Sequence, residues 1–469
     1  MWMIAIILVY FAVLFAISRL TGRRATNETF FRGNRQSPWY MVAFGMVGAS
    51  ISGVTFVSVP GMVTSIDMTY MQTCLGFILG YFAVAFILLP LYYRLNLTTI
   101  YSYLGKRLGQ RAYKTGASFF LLSKMTGAVV RFYVVCMILQ QFVFDPMGIP
   151  FVVTVSGMVV LIWLYTRGGG IKTLVWTDTF QTVCLFSALL LIIYKVIGEL
   201  GLSIPEAIMT IAADEHSRMF VMDDWMSKQN FWKQFLSGVF IVIVMTGLDQ
   251  DMMQKNLTCK TLKEAQKDMC TYGVAFVPVN LLFLSLGVLL VLLGEKGASD
   301  ALLPGFVERS GLSVLIPFTI GIVAASFSSA DSALTSLTTS YCVDIRGRAG
   351  DEQLRKRTHL MFSLLFVVMI LLFRLLNSTS VIDAIYTICG YTYGPLLGLF
   401  AFGMLTERVP RDRYVPYICI SSPLVCYIID TLTWKLADYH FGYELLMLNG
   451  LLTFAGLWAL SLSVPQKTR

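Results

Sequence analysis

Apolar residues in this chain do not alternate. They run in long blocks separated by short polar stretches. Thirteen blocks can be drawn, at about 2–20, 38–62, 66–93, 113–143, 150–165, 174–198, 232–254, 269–294, 311–343, 358–376, 380–405, 414–434 and 444–464. A helix needs ~20 apolar residues to cross the hydrocarbon core of a bilayer, and the blocks recur near that length from end to end. The pattern predicts an all-α polytopic membrane protein of about 13 transmembrane helices, held in the lipid bilayer as a bundle. The first block is not read as a signal peptide. Its charges (Arg19, Arg23, Arg24) follow the apolar run instead of preceding it, so an uncleaved first helix is expected.

Composition agrees. The chain is 56% hydrophobic and 13% charged, about half the charge of a soluble protein, and its mean hydropathy is +0.70. The net charge of +9 does not call for a nucleic acid, because the cations sit in short loops. With the N-terminus outside, 26 of the 36 Lys and Arg fall in cytoplasmic segments, eight fall in outer segments, and Lys124 and Arg131 lie inside a span. That asymmetry predicts a multi-pass protein of the plasma (inner) membrane with its N-terminus outside and its C-terminus cytoplasmic. The nine Cys are scattered singly with no CxxC, which argues against disulfides or a thiolate metal site. His216, His359 and His440 lie far apart, expected in loops or at helix ends, and no metal cluster suggests an enzyme.

The exceptions to the apolar pattern carry the chemistry. The second span contains Ser50-Ile51-Ser52-Gly53 among further Gly and Thr, which predicts a helix broken at depth. The seventh span reads Thr246-Gly247-Leu248-Asp249-Gln250-Asp251 and breaks in the same way. The two breaks open two successive sets of five spans. An odd number of spans per set inverts the second set relative to the first. The expected division is an extra helix and loop at 1–37, a first repeat with its outer loop at 38–231, an inverted repeat at 232–405, and two peripheral helices at 406–469. In the ninth span Ser328, Asp331, Ser332, Thr335, Ser336 and Thr339 share one helix face. This oxygen-only stripe suits a hard cation, although Ser and Thr also serve as plain packing residues between membrane helices. Asp178, near the start of the sixth span, reads on its own as an acid favoured by a helix N-terminus.

These residues resemble the sodium:solute symporter family, whose members include bacterial sodium/galactose, sodium/proline and sodium/sialic acid symporters and share a LeuT-type five-plus-five inverted repeat. Four stretches carry the resemblance: Ser50 to Gly61, Gly169 to Gln181, Asp249 to Ala265, and Ser328 to Ile345. It implies a main sodium site between the second and ninth spans, built from backbone carbonyls of Gly48, Ile51 and Ala325 and side chains of Ser328 and Ser329. It implies a second cation site at Asp178, Ser328, Asp331 and Ser332, where Asp331 replaces a family serine. The amide positions of the galactose members fall on Thr55 and Val242 and their lysine on Phe276, so the sugar site is not copied. Arg131 lies about one turn beyond the arginine with which sialic acid members hold a carboxylate. It either binds a substrate carboxylate or pairs with a buried acid.

The expected function is inward sodium movement coupled to uptake of a small polar organic solute, such as a carboxylate or sugar acid, by alternating access. Ser50, Ser52, Thr55 and Arg131 are the expected substrate contacts, sodium is the coupling ion, and no obligate protein partner is indicated. A proton-coupled or sodium-independent carrier would use Asp331 and Asp178 as relays instead. A membrane sensor would need a signalling domain, and only Pro465 to Arg469 follow the last span.

Overall fold

The computed structural model describes residues 2–22, 26–297, 299–376, 381–439 and 441–462. Among them there is no strand beyond one isolated bridge, Ser37 to Cys259. Thirteen long helices, two of them broken, organise the chain. They are α1 (Trp2–Thr21), α2a and α2b (Trp39–Ser50, Gly53–Ile66), α3 (Tyr70–Arg94), α4 (Gln110–Met147), α5 (Phe151–Gly169) and α6 (Ile171–Glu199). The rest are α7a and α7b (Phe231–Gly247, Gln250–Asn256), α8 (Leu262–Leu292), α9 (Leu312–Ile345), α10 (Glu352–Leu376), α11 (Val381–Leu405), α12 (Val415–Ala437) and α13 (Leu445–Leu462). Ten are long and apolar enough to cross a membrane, or twelve if each broken pair counts as one span. The expected count of thirteen is not reached on that measure among the described residues, and α1 is the long helix it leaves out.

Both expected breaks are present. α2a and α2b meet at 60°, and α7a and α7b at 69°. The first bend has a local cause. Ile51 (ψ 91°) and Ser52 (ψ 169°) leave the helical region, and small residues let the backbone press against its neighbours. A Cβ on Gly48 would lie 1.9 Å from Thr182 Oγ1, and one on Gly53 would lie 2.3 Å from Ser326 Oγ. At the second break Asp249 caps α7b, accepting the Asp251 N–H at 2.8 Å. α9 is the central helix: 72% of its most apolar window is buried, against 22% in the peripheral α12. It packs against both halves of α2, and α6 packs along it.

Three expectations need correction. Lys255, counted as a loop charge, is the sixth residue of α7b and only 1% exposed, because the helix resumes after the break and carries it inward. Asp178 is not in a first helical turn. α6 starts at Ile171, which sets Asp178 two turns in, 1% exposed. His359 is neither in a loop nor at a helix end. It is buried inside α10, its ring bonded to Thr166 at 2.8 Å and Thr338 at 3.1 Å. His440 lies outside the described residues.

Candidate functional site: a cavity and buried charges at the two breaks

The four expected substrate residues, Ser50, Ser52, Thr55 and Arg131, line one cavity between the two breaks. Val242 and Phe276 line it as well, so it offers apolar surface where the galactose members were expected to have an amide and a lysine. Ser50 Oγ is hydrogen-bonded to the Tyr272 hydroxyl, and the Tyr272 ring packs on Tyr81 with centroids 4.4 Å apart. This fixes the wall beside the α2 break.

Two cations enter the same cavity from α4. Lys124 Nζ lies 2.6 Å from Asp251 Oδ2 and 3.2 Å from Asp249 Oδ2. Tyr393 donates its hydroxyl to Asp249 Oδ2 at 2.5 Å. The acids that break the seventh span are thus spent on Lys124, a pairing the sequence reading did not find. Arg131 lines the cavity and makes no hydrogen bond or ion pair among the described residues. The expected alternative, a structural pair with a buried acid, is absent there.

The expected cation residues are brought together in two groups. Ser328 donates to Asp178 Oδ1 at 2.6 Å, and Lys255 Nζ lies 2.8 Å from Asp178 Oδ2. Asp331 is held apart from them: Tyr165 donates to its Oδ2 at 2.6 Å and Ser332 to its Oδ1 at 3.2 Å. Lys255 pairs with Asp178 alone, which leaves the buried Asp331 without an ion-pair partner among the described residues. No local signal in the sequence points to this, since Lys255 follows the apolar block at 232–254 and reads as a loop residue.

At the α2 break, Ser52 N–H donates to the Ser50 carbonyl at 3.1 Å and not to Gly48 four residues back. The Gly48 carbonyl loses its regular helical donor and is free to accept from or coordinate something else. Ser328 and Ser329 are buried on α9, which packs against this break. The Ala325 carbonyl lies within the continuous α9 helix. The donors are oxygens alone, and no cluster of three His, Cys, Asp or Glu suited to a metal occurs among the described residues. This set fits a hard monovalent cation and not a thiolate- or imidazole-seeking metal.

Comparison with known proteins identifies relatives of this chain. Residues 30–412 match the sodium:solute symporter family. The sodium/iodide cotransporter of Homo sapiens is 25% identical over 406 residues, covering 82% of this chain. The chain spans 62% of that relative's length. The sodium/sialic acid symporter SiaT of Proteus mirabilis is 24% identical over 428 residues, covering 85% of this chain and 83% of its own. These relatives are transporters, not enzymes. A solved structure of a Na+-coupled sialic acid symporter, substrate-bound and outward-open, superposes with a TM-score of 0.84 at 21% identity. It covers 100% of this chain and 99% of that one, and the likeness is one of LeuT-type fold. With the match spanning most of its length, the chain belongs to the sodium:solute symporter family.

Proposed function

We propose that the chain is a sodium-coupled secondary transporter of a small organic carboxylate, working by alternating access in the plasma (inner) membrane, with its N-terminus outside. The observation that carries the substrate class is Arg131, which has no ion-pair partner among the described residues, in a cavity whose other cation, Lys124, is already neutralised by two carboxylates. A guanidinium binds a carboxylate bidentately and stays charged when desolvated. Ser52 and Thr55 would supply hydroxyls beside it. The apolar wall at Val242 and Phe276 favours a solute body less polar than a sugar.

Sodium is a second cargo. Carbonyls of Gly48, Ile51 and Ala325 and hydroxyls of Ser328 and Ser329 would hold it, supported by the freed Gly48 carbonyl and the buried serines of α9. Because these residues join the broken helix to α9, sodium there would couple repeat 38–231 to repeat 232–405. An inward gradient drives the cycle, and the membrane potential adds ~2.3 kcal/mol per charge for each 100 mV. A second cation at Asp178, Ser328, Asp331 and Ser332 would balance the carboxylate that Lys255 leaves over. Lys255 and Ser328 already engage both Asp178 oxygens, whereas Asp331 is hydrogen-bonded to Tyr165 and Ser332 but has no ion-pair partner among the described residues, so a cation would sit at Asp331 with Ser332.

Uptake into proteoliposomes at fixed pH, with sodium replaced by choline, tests the coupling. Carboxylate uptake is expected to collapse without sodium. Undiminished uptake in choline at the same pH would assign the chain to a sodium-independent or proton-coupled carrier.

A further inference from the structure

A second basic pocket lies away from the transport cavity, between the C-terminal end of α5 and the N-terminal end of α10. It has a volume of about 340 Å³ and is lined by Trp163, Arg167, Arg355, Lys356, Phe30 and His359. The transport reading uses none of these cations. Arg355 is 3% exposed, with its guanidinium stacked 4.5 Å from the centre of the Phe30 ring. It donates to the Arg167 carbonyl at 3.4 Å and lies 3.5 Å from Glu352, while its Nε is buried without a hydrogen-bond partner. The Arg167 guanidinium lies 5.0 Å over the Trp163 ring. Lys356 is exposed and pairs with Glu352 at 3.0 Å. Three cations and one carboxylate leave a surplus of positive charge around an unsatisfied donor. His359 forms the floor, since both its ring nitrogens are already engaged.

The surface that continues from the pocket is apolar. On α10, Leu360, Leu364 and Val368 follow Lys356 at steps of four and are exposed, Leu364 at 60%. On α5, Val160 and Val153 precede Arg167 at steps of seven and are exposed as well. Such steps keep residues on one helix face. Trp163, apolar with one polar N–H, sits where the two surfaces meet, as aromatic residues do at a membrane boundary. A ligand that fits both parts has an anionic head for the arginines and long apolar chains for the groove.

We propose that this pocket binds the phosphate headgroup of an anionic phospholipid, whose acyl chains run along α5 and α10. Guanidinium groups recognise phosphate through bidentate charge-assisted hydrogen bonds. Basic pockets at the ends of membrane helices select anionic headgroups, each cation contributing about fivefold in affinity.

Native mass spectrometry of the full chain in detergent tests this, with phosphatidylglycerol and phosphatidylcholine of equal chain length as probes. Wild type is expected to retain phosphatidylglycerol at least about fivefold more than phosphatidylcholine. The exposed double variant Arg167→Gln/Lys356→Gln is expected to lose most of that preference, and Arg355→Gln all of it. Should Arg355→Gln fail to fold, the double variant still decides. Arg408→Gln, whose guanidinium stacks on Trp458 outside the pocket, is expected to keep the preference. Equal retention of the two lipids, or an equal loss in Arg408→Gln, overturns the site. Inorganic phosphate alone raising the melting temperature as much as phosphatidylglycerol does would assign the pocket to a soluble anion and overturn the lipid proposal.

Discussion

Lys124 and Arg131 stand two turns apart on α4 and reach into the same cavity, yet the fold treats them oppositely. Lys124 is enclosed by Asp249, Asp251 and, through Asp249, Tyr393. Arg131 has no counter-ion among the described residues. A buried charge is tolerated when its partners are built in, because the desolvation cost is then met locally. A charge facing a cavity without a partner is available to a ligand from outside. The first ties α4 to the α7 break, and the second is the candidate for binding.

Removing Lys124 breaks the comparison most severely. Lys124→Met strands two buried carboxylates and is expected to cost about 3–5 kcal/mol of stability, read as a large fall in melting temperature. Adding Asp249→Asn and Asp251→Asn should recover much of it. A Lys124→Met protein as stable as wild type would remove the structural role. Arg131→Gln sharpens the contrast. It is expected to melt close to wild type while raising the half-saturation concentration for a carboxylate about 10- to 100-fold, the value of one or two charge-assisted hydrogen bonds. A melting shift as large as that of Lys124→Met would make Arg131 structural. The smallest effect is expected from Ser329→Ala, whose hydroxyl has no other assigned partner: sodium activation should shift about three- to tenfold. Unchanged sodium activation in both Ser329→Ala and Ser328→Ala would sink the main sodium site.

Both helix breaks were legible because their cause is local. Ser50 to Gly53 and Gly247 to Asp251 are runs no uninterrupted apolar helix would contain, and the structure bends there by 60° and 69°. The gathering of Ser50, Ser52, Thr55 and Arg131 around one cavity follows from those breaks. The charge pairing was not legible, because it depends on contacts between distant spans. Lys255 follows an apolar block and so reads as a loop residue. Only the resumption of helix from Gln250 to Asn256 carries it back to Asp178. Asp249 and Asp251 were read as breakers alone, since nothing near them in sequence points to Lys124. Asp178 misled for a related reason: the glycines before it suggest a helix start, but α6 begins at Ile171.

The central claim is that Arg131 holds a carboxylate while sodium is bound. Solid-supported-membrane electrophysiology tests it most directly, by applying a panel of small carboxylates and their neutral amides to proteoliposomes in sodium or choline. The account predicts charge movement for one or more carboxylates, in sodium only, with no signal from the matching amides, and loss of that signal in Arg131→Gln. Amide signals equal to those of the carboxylates, or carboxylate signals unchanged in Arg131→Gln, would contradict it.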